Sequence, residues 1–150
     1  MDFQTRQDVC EYMAGLVPSD ACSILEPTPG IGNLVMALEQ RGFTVDAPDD
    51  FWSIDTTEKY DCVVMNPPFS PMLVGYKILY RCMDITDSIV ALMPWLTLIN
   101  SQKRTGDIKD YGLISVTHLP RNVFPGARVQ TAILQMHRGY NGKTTLQFYV

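Results

Sequence analysis

The sequence is poor in cysteine and histidine, and the few it has show no metal-ligand spacing. There is no Cys-x-x-Cys pair among its four cysteines, which are Cys10, Cys22, Cys62 and Cys82. Neither histidine has a cysteine or an acid nearby at ligand spacing. The sequence therefore predicts no metal site and reduced thiols, most of them packing residues, as in a cytoplasmic protein.

Long apolar runs are also missing. No stretch approaches the roughly 18 consecutive apolar residues that a membrane-spanning helix needs. The first residues, "MDFQTRQDVCEYM", include acids and no apolar segment, so they do not resemble a secretory signal. With 46% hydrophobic and 19% charged residues, the composition is that of an ordinary globular protein. We therefore expect residues 1–150 to form a single domain in the cytoplasm, without membrane contact.

Positive charge is scarce in the first two thirds of the chain. Residues 1–100 carry five Lys or Arg against fourteen Asp or Glu, a net charge of −9. Residues 101–150 carry seven against two, a net charge of +5. The overall charge of −4 argues against a general nucleic-acid coat protein. The basic last third permits a phosphate-binding face, although scattered surface charge explains the same numbers.

Strand-like and helix-like patterns alternate along the chain. Buried strands are predicted at "CSIL", "DCVVM" and "SIVALM", with a further strand at "FTVDA" and helices between them. This order predicts an α/β fold with a mostly parallel sheet and helices on both faces. The last strands, "LISVTHL", "QTAILQMHR" and "TTLQFYV", are expected to form an antiparallel portion. Right-handed crossovers would bring the loops after the early strands to one edge, where such sheets bind ligands.

A glycine-rich turn follows the first predicted strand in "ILEPTPGIGNLV". We call residues 26–32 the glycine loop. Gly30 and Gly32 allow a tight turn and a close approach of the backbone to a ligand. The helix that follows would offer free amides to a carboxylate, and Glu26 would suit a cationic amino group. The dinucleotide motif GxGxxG is absent, and a GxG turn serves packing alone in many α/β proteins.

Three acids, Asp46, Asp49 and Asp50, follow the second predicted strand in "FTVDAPDDF". Acids at this edge of a sheet accept hydrogen bonds from ribose hydroxyls or from an adenine amino group. A solvated acidic turn accounts for them equally well.

The most specific motif is "NPPF", which directly follows the buried strand "CVVM". We call residues 66–69 the target loop. The prolines stiffen it and lack amide hydrogens, so the Asn66 side chain and the Pro67 carbonyl can accept hydrogen bonds from one NH₂ group. Phe69 would stack on a planar base, such as an adenine extruded from a duplex. A chance occurrence of this motif in such a chain is on the order of one in a thousand.

Together these motifs resemble the S-adenosylmethionine-dependent N6-adenine methyltransferases of the NPPF amino-methyltransferase family. "ILEPTPGIGNL" resembles the family's glycine-rich motif for the methionine part of the cofactor, and "TRQDVCEYMAGLV" its preceding helix. "DDFW" resembles the motif that contacts the cofactor's adenine. "SIVALMP" and "VFPGARVQTAILQM" resemble the later strand and the terminal hairpin. The likeness implies a Rossmann-like class I methyltransferase fold.

The resemblance also implies roles for individual residues. Thr5 would lie at the carboxylate end of the methionine, and Glu26, Thr28 and Gly30 around its amino acid portion. Asp50 and Phe51 would hold the cofactor's adenine, and Asp49 is the candidate for its ribose. In the target loop, Asn66 and Pro67 would bind the target amine and Phe69 would stack on the base. The reaction implied is direct methyl transfer to the exocyclic N6 of adenine in DNA, as in compact enzymes of phages and mobile elements.

Two departures from the family keep other interpretations open. The helix and strand that usually precede the "DF" motif are nearly absent, so Asp49 abuts Asp50. The assignment of Asp49 to the ribose therefore conflicts with that of Asp50 to the adenine, unless the adenine pocket is abbreviated. No target-recognition domain is found, so we expect a partner, a second copy, its own loops or low specificity. RNA adenine and a protein glutamine amide offer the same chemistry, and a methyltransferase-like binding subunit without catalysis is the remaining alternative.

Overall fold

The structure is a computed structural model that describes residues 5–54, 57, 59–124 and 129–149. Its helices are α1 (Gln7–Gly15), α2 (Asn33–Gln40), α3 (Met72–Ile85), α4 (Leu96–Ile99) and α5 (Gln102–Tyr111). Its strands are β1 (Ser23–Leu25), β2 (Thr44–Asp46), β3 (Cys62–Met65), β4 (Ser88–Pro94), β5 (Leu113–Leu119), β6 (Thr131–His137) and β7 (Thr145–Phe148). Short 3₁₀ turns occur at Phe51–Ser53 and Arg121–Val123.

All seven strands join one sheet in the order β2-β1-β3-β4-β6-β5-β7. Strands β2, β1, β3 and β4 are parallel, and β6 is antiparallel to both of its neighbours. This arrangement confirms the predicted α/β architecture with an antiparallel portion near the C-terminus. One detail differs, because β7 pairs parallel with β5. Since β5 already occupies the edge of β6, the chain leaving β6 turns back and pairs with the free edge of β5.

Two apolar clusters cover the two faces of the sheet. Helices α1 and α2 pack on one face, in the cluster that includes Met13, Leu38 and Val64. Helices α3 and α5 pack on the other, in the cluster that includes Leu79, Ile108 and Met65. The alternation of Val64 and Met65 between the clusters follows from the two-residue period of a strand. Three of the four cysteines are buried, and Cys22 is exposed.

The polar segment after β4 forms more helix than its composition suggested. The polar sequence "NSQKRTGDIKDYG" predicts a loop and a short helix, whereas α5 spans ten residues. Its N-terminus is capped by Ser101, whose hydroxyl accepts a hydrogen bond from the Arg104 amide at 3.2 Å. Ile108 and Tyr111 are its buried residues, so two contacts with the core hold a helix that is otherwise polar.

The carboxyl ends of β1, β2 and β3 lie together at one edge of the sheet. Leu25 of β1 is in register with Asp46 of β2 on one side and with Val63 of β3 on the other. In the described part of 47–61, the only helical element is the turn at Phe51–Ser53, and β2 is the edge strand. The structure thus agrees with the shortened segment read from the sequence. None of its described helices has the length and apolar character needed to cross a membrane.

Candidate cofactor and target-amine site

The glycine loop connects β1 to α2 through two residues with positive φ. Gly30 has φ 56° and Gly32 has φ 92°, a left-handed conformation that side chains with a Cβ rarely adopt. Gly32 is the residue at which α2 is capped, so Asn33 begins the helix. The loop therefore turns sharply at the sheet edge and directs the free amides of the helix N-terminus toward it.

Glu26 is the buried carboxyl group at the start of this loop, with 1% of its surface exposed. Its Oε1 accepts hydrogen bonds from the Thr28 amide at 2.7 Å and the Thr28 hydroxyl at 3.4 Å. Burial raises the pKa of Glu26 to about 7, although the two hydrogen bonds from Thr28 act to lower it. Among the residues that the structure describes, none donates a hydrogen bond to Oε2. The buried Glu26 carboxyl group therefore has one oxygen, Oε2, available for a cationic donor.

The target loop follows β3 at the same edge. Asn66 is half-buried, Pro67 is buried and Pro68 is exposed. Phe69 is half-buried and packs against the apolar cluster on the α1 and α2 face. The Phe69 side chain is thus partly held by the core and partly exposed.

Thr5 connects the target loop to the N-terminus of α2. It is 4% exposed, and its hydroxyl accepts a hydrogen bond from Asn66 Nδ2. Its main-chain oxygen accepts a hydrogen bond from Asn33 Nδ2 at 3.1 Å. We call Asn33, Thr5 and Asn66 the polar bridge. The sequence suggested Thr5 as a cofactor contact, but its contact with Asn66 spans 61 residues and carries no sequence signal.

The three acids near the end of β2 lie in different environments. Asp46 accepts a hydrogen bond from the Tyr60 hydroxyl at 2.5 Å, and its main-chain oxygen accepts one from the Glu26 amide at 2.9 Å. Asp50 caps the turn at Phe51–Ser53 by accepting a hydrogen bond from the Trp52 amide at 3.0 Å. Asp49 is exposed. The main-chain bond places Asp46 directly beside Glu26, whereas the ribose candidate that the sequence predicts is Asp49.

The two aromatic residues after Asp50 differ sharply in accessibility. Phe51 is 4% exposed, whereas Trp52 is 49% exposed. Arg81 of α3 lies 5.5 Å from the ring centre of Phe51 and 5.8 Å from that of Trp52. Its guanidinium also donates a hydrogen bond to the Ile54 carbonyl at 3.3 Å. Phe51 therefore anchors the turn in the core, while Trp52, which follows it in "DDFW", presents the more open ring.

Several basic residues of the last third make contacts with other residues of the chain. Lys103 pairs with Asp107 and Arg138 with Asp87, each at 2.7 Å. Arg104 donates hydrogen bonds to main-chain oxygens of α4 and lies 3.7 Å from the ring centre of Tyr76. Arg128 is outside the described residues. The positive net charge of this segment therefore overstates the charge that is free for phosphates.

The sequence has no match among protein-family models and none among curated proteins. Solved structures with the same fold were found at low identity. A methyltransferase subunit of a type I restriction-modification system from Streptococcus thermophilus has a TM-score of 0.70 and 15% identity, covering 91% of this chain and 45% of its own. A Listeria monocytogenes protein described as a class I S-adenosylmethionine-dependent methyltransferase has a TM-score of 0.72 and 16% identity, covering 95% and 63%.

The 23S rRNA methyltransferase ErmE is also similar, with a TM-score of 0.64 and 17% identity over 91% of this chain and 70% of its own. The chain therefore has the Rossmann-like fold of class I methyltransferases, as its sequence predicted. It spans about half the length of the type I restriction-modification subunits that it matches.

Proposed function

We propose that this chain is an S-adenosylmethionine-dependent methyltransferase that modifies the exocyclic N6 of adenine in DNA. The observation that carries this proposal is the position of the target loop. Asn66 lies at the carboxyl end of β3 and is joined through Thr5 to Asn33, the first residue of α2. The motif for an aromatic amine and the glycine loop are thus adjacent at one edge of the sheet.

The glycine loop fits the amino acid portion of S-adenosylmethionine. Buried Glu26 has one oxygen held by Thr28 and suits an ammonium group with the other. The amides at the start of α2 suit a carboxylate, and Gly30 and Gly32 keep the backbone accessible. Asp50 and Phe51 would hold the adenine, with the exposed Trp52 as a further candidate beside them, and Asp46 joins Asp49 as a ribose candidate. When bound, the cofactor supplies a methyl group on a positively charged sulfur.

Asn66 would orient the target amine for this transfer. Because Nδ2 donates to Thr5, the side-chain oxygen Oδ1 remains an acceptor for one amine hydrogen. The Pro67 carbonyl would accept the second, which turns the nitrogen lone pair toward the methyl group. These two acceptors would stabilise the positive charge that develops on nitrogen until one of its protons is released to water, and Phe69 would hold the ring of the base. No covalent intermediate with the protein is required.

A methyl-transfer assay can distinguish DNA from RNA as the substrate. The structural neighbours include both type I modification subunits and a 23S rRNA methyltransferase, so adenine in RNA is the second candidate. Transfer of a radiolabelled methyl group should be measured on unmethylated DNA, RNA and protein fractions. We expect incorporation into DNA as N6-methyladenine and its loss in Asn66→Ala and Phe69→Ala. Asn141→Ala, at an exposed residue between β6 and β7, is the control.

Cofactor binding is tested separately from transfer. Calorimetric titration with S-adenosylmethionine should show binding to the wild type and to Asn66→Ala. No binding at millimolar concentration would instead favour a methyltransferase-like subunit that binds nucleic acid or a partner without catalysis. A second copy or a separate specificity subunit would supply recognition of the DNA site. Light scattering with and without DNA measures whether two copies associate.

A further inference from the structure

The orientation of the Asn66 carboxamide is fixed by a residue far away in the sequence. Asn66 Nδ2 donates its hydrogen bond to the Thr5 hydroxyl, 61 residues earlier. A carboxamide has one acceptor end and one donor end, and only the acceptor end can bind a target NH₂ group. The bond to Thr5 occupies the donor end and leaves Oδ1 for the substrate.

Thr5 is itself held rigidly enough to act in this way. Only 4% of its surface is exposed. Its main-chain oxygen accepts hydrogen bonds from Asn33 Nδ2 at 3.1 Å and from the Cys10 thiol at 3.7 Å. These donors belong to α2 and α1, so two helices fix the backbone that carries the hydroxyl. A functional side chain needs this kind of supporting contact, since a misplacement of 1 Å can cost about 100-fold in rate.

We propose that Thr5 is a positioning residue that sets the orientation of Asn66 for the target amine. This role differs from the contact with the methionine carboxylate that the family resemblance suggests. It rests on the proposed function, because Asn66 is taken to bind the amine. The polar bridge also joins α2, where the glycine loop ends, to the target loop, so both sides of the site share one scaffold.

Steady-state kinetics of Thr5→Val and Thr5→Ser test this role. Valine keeps the shape and removes the hydroxyl, so we expect kcat to fall about 10- to 100-fold with KM for the cofactor nearly unchanged. Serine restores the hydroxyl and should recover most of kcat. In the Asn66→Ala background, Thr5→Val should have little further effect, because the residue that it positions is gone. A raised KM for the cofactor with unchanged kcat would show a cofactor contact instead and overturn the proposal.

The side-chain NH₂ signal of Asn66 provides a readout that needs no activity. Comparison of ¹⁵N spectra of the wild type and Asn66→Ala assigns this signal. In Thr5→Val we expect it to move toward the position of a solvent-exposed amide and its hydrogen exchange to accelerate. Thr5→Ser should leave both close to the wild type. An unchanged signal in Thr5→Val, in a protein with a normal melting temperature, would overturn the positioning role.

The two tests separate this inference from the proposed function. If the wild type transfers methyl groups to no substrate but the NMR signal responds as expected, the proposed function fails and the Asn66 orientation remains explained. If the wild type is active and Thr5→Val equals it in kcat, the proposed function holds and the positioning role is wrong.

Discussion

Gly75 of α3 lies directly against the carbonyl oxygen of Pro68 in the target loop. A Cβ placed on Gly75 would be 3.1 Å from that oxygen and 3.6 Å from Pro67 Cγ. Both contacts involve a stiff segment with two prolines, which cannot easily move away. Because Gly75 has no side chain, helix α3 can lie directly against the target loop and support it.

Gly75→Ala should reduce activity more than stability. The added methyl group would displace the Pro68 carbonyl by a few tenths of an ångström, and we expect kcat to fall several-fold. Alanine also favours the helix by up to about 1 kcal/mol, which offsets the strain in the free energy of unfolding. The methyl-transfer assay measures the change in kcat, and urea denaturation measures the change in the free energy of unfolding.

Gly106→Ala is the matched control for this substitution, because Gly106 is in α5 with nothing within 4 Å of its added Cβ. It should raise the free energy of unfolding by about 0.5 to 1 kcal/mol and leave activity unchanged. Equal kcat for both variants would contradict support of the target loop by Gly75.

Glu26→Gln should change how stability depends on pH. The pKa of Glu26 is raised to about 7 in the fold, from 4.5, because the carboxyl is buried. Between these values the folded protein holds a proton that the unfolded chain has lost, so the wild type loses stability as pH rises. The loss from this group is at most about 3 kcal/mol, complete above pH 7. Urea denaturation at pH 5 and pH 8 should show this loss in the wild type and its absence in Glu26→Gln.

Cofactor affinity should show the opposite trend with pH in the same two proteins. Below about pH 7 the Glu26 carboxyl is protonated and attracts an ammonium group weakly. Calorimetric titration with S-adenosylmethionine should therefore give a lower affinity at pH 6 than at pH 8 for the wild type. Glu26→Gln should bind weakly at both values. A wild-type affinity that does not change over this range would argue against Glu26 as the partner of the ammonium group.

Arg81→Met should loosen the turn that carries Trp52. Loss of the two ring contacts and the bond to Ile54 would destabilise the fold by about 1 kcal/mol. The Arg81 Nε has no hydrogen-bond partner among the described residues, so its removal offsets part of the loss. In a Trp95→Phe background, quenching of Trp52 fluorescence by iodide should increase. Lys77→Met, an exposed change on the same helix, should alter neither quantity.

Tyr149→Phe should release the last residues from α1. The Tyr149 hydroxyl donates a hydrogen bond to Asp8 Oδ2 at 2.7 Å, and its ring packs edge-on against Tyr12. Arg6 and then Tyr149 hold the pKa of Asp8 well below its usual range, so the variant should raise that pKa in an NMR titration. Because Asp8 is exposed, we expect a stability loss below about 1 kcal/mol.

The control for that substitution is Tyr140→Phe, which removes a hydroxyl that, among the described residues, donates to the nearby Lys143 carbonyl alone, at 2.6 Å. It should leave the pKa of Asp8 unchanged. A pKa of Asp8 that is the same in Tyr149→Phe and in the wild type would mean that the Tyr149 hydroxyl does not contribute to lowering it.

Much of the fold was predictable because its signals are local. The strands β1, β3 and β4 are runs of apolar residues, and the helices between them show a helical period. The order of these elements determines which strand ends meet at one edge, so the closeness of the glycine loop and the target loop followed from the sequence. The parallel pairing of β7 did not follow, because it depends on which edge of the sheet is free.

The finer parts of the site depend on contacts between distant residues. Phe51 and Trp52 are neighbours with similar chemistry, and only the contact of Phe51 with the core cluster on the α3 and α5 face distinguishes the buried ring from the exposed one. The bond between Thr5 and Asn66 joins the segment before α1 to the end of β3. Neither contact leaves a pattern in the sequence, since each is made by ordinary residues brought together by the sheet.

The contact between Tyr149 and Asp8 joins residues 141 positions apart, and Tyr12 makes similar bonds to Thr117 and Gln147. Closing such long loops costs conformational entropy before any contact repays it, so we expect these contacts to form late in folding. Thr5 lies two residues before α1, the helix that these contacts hold in place. The hydrogen bond from Asn66 to Thr5 would then form only after the sheet is complete. A partly folded chain would contain the target loop, but its Asn66 side chain would not yet have a fixed orientation.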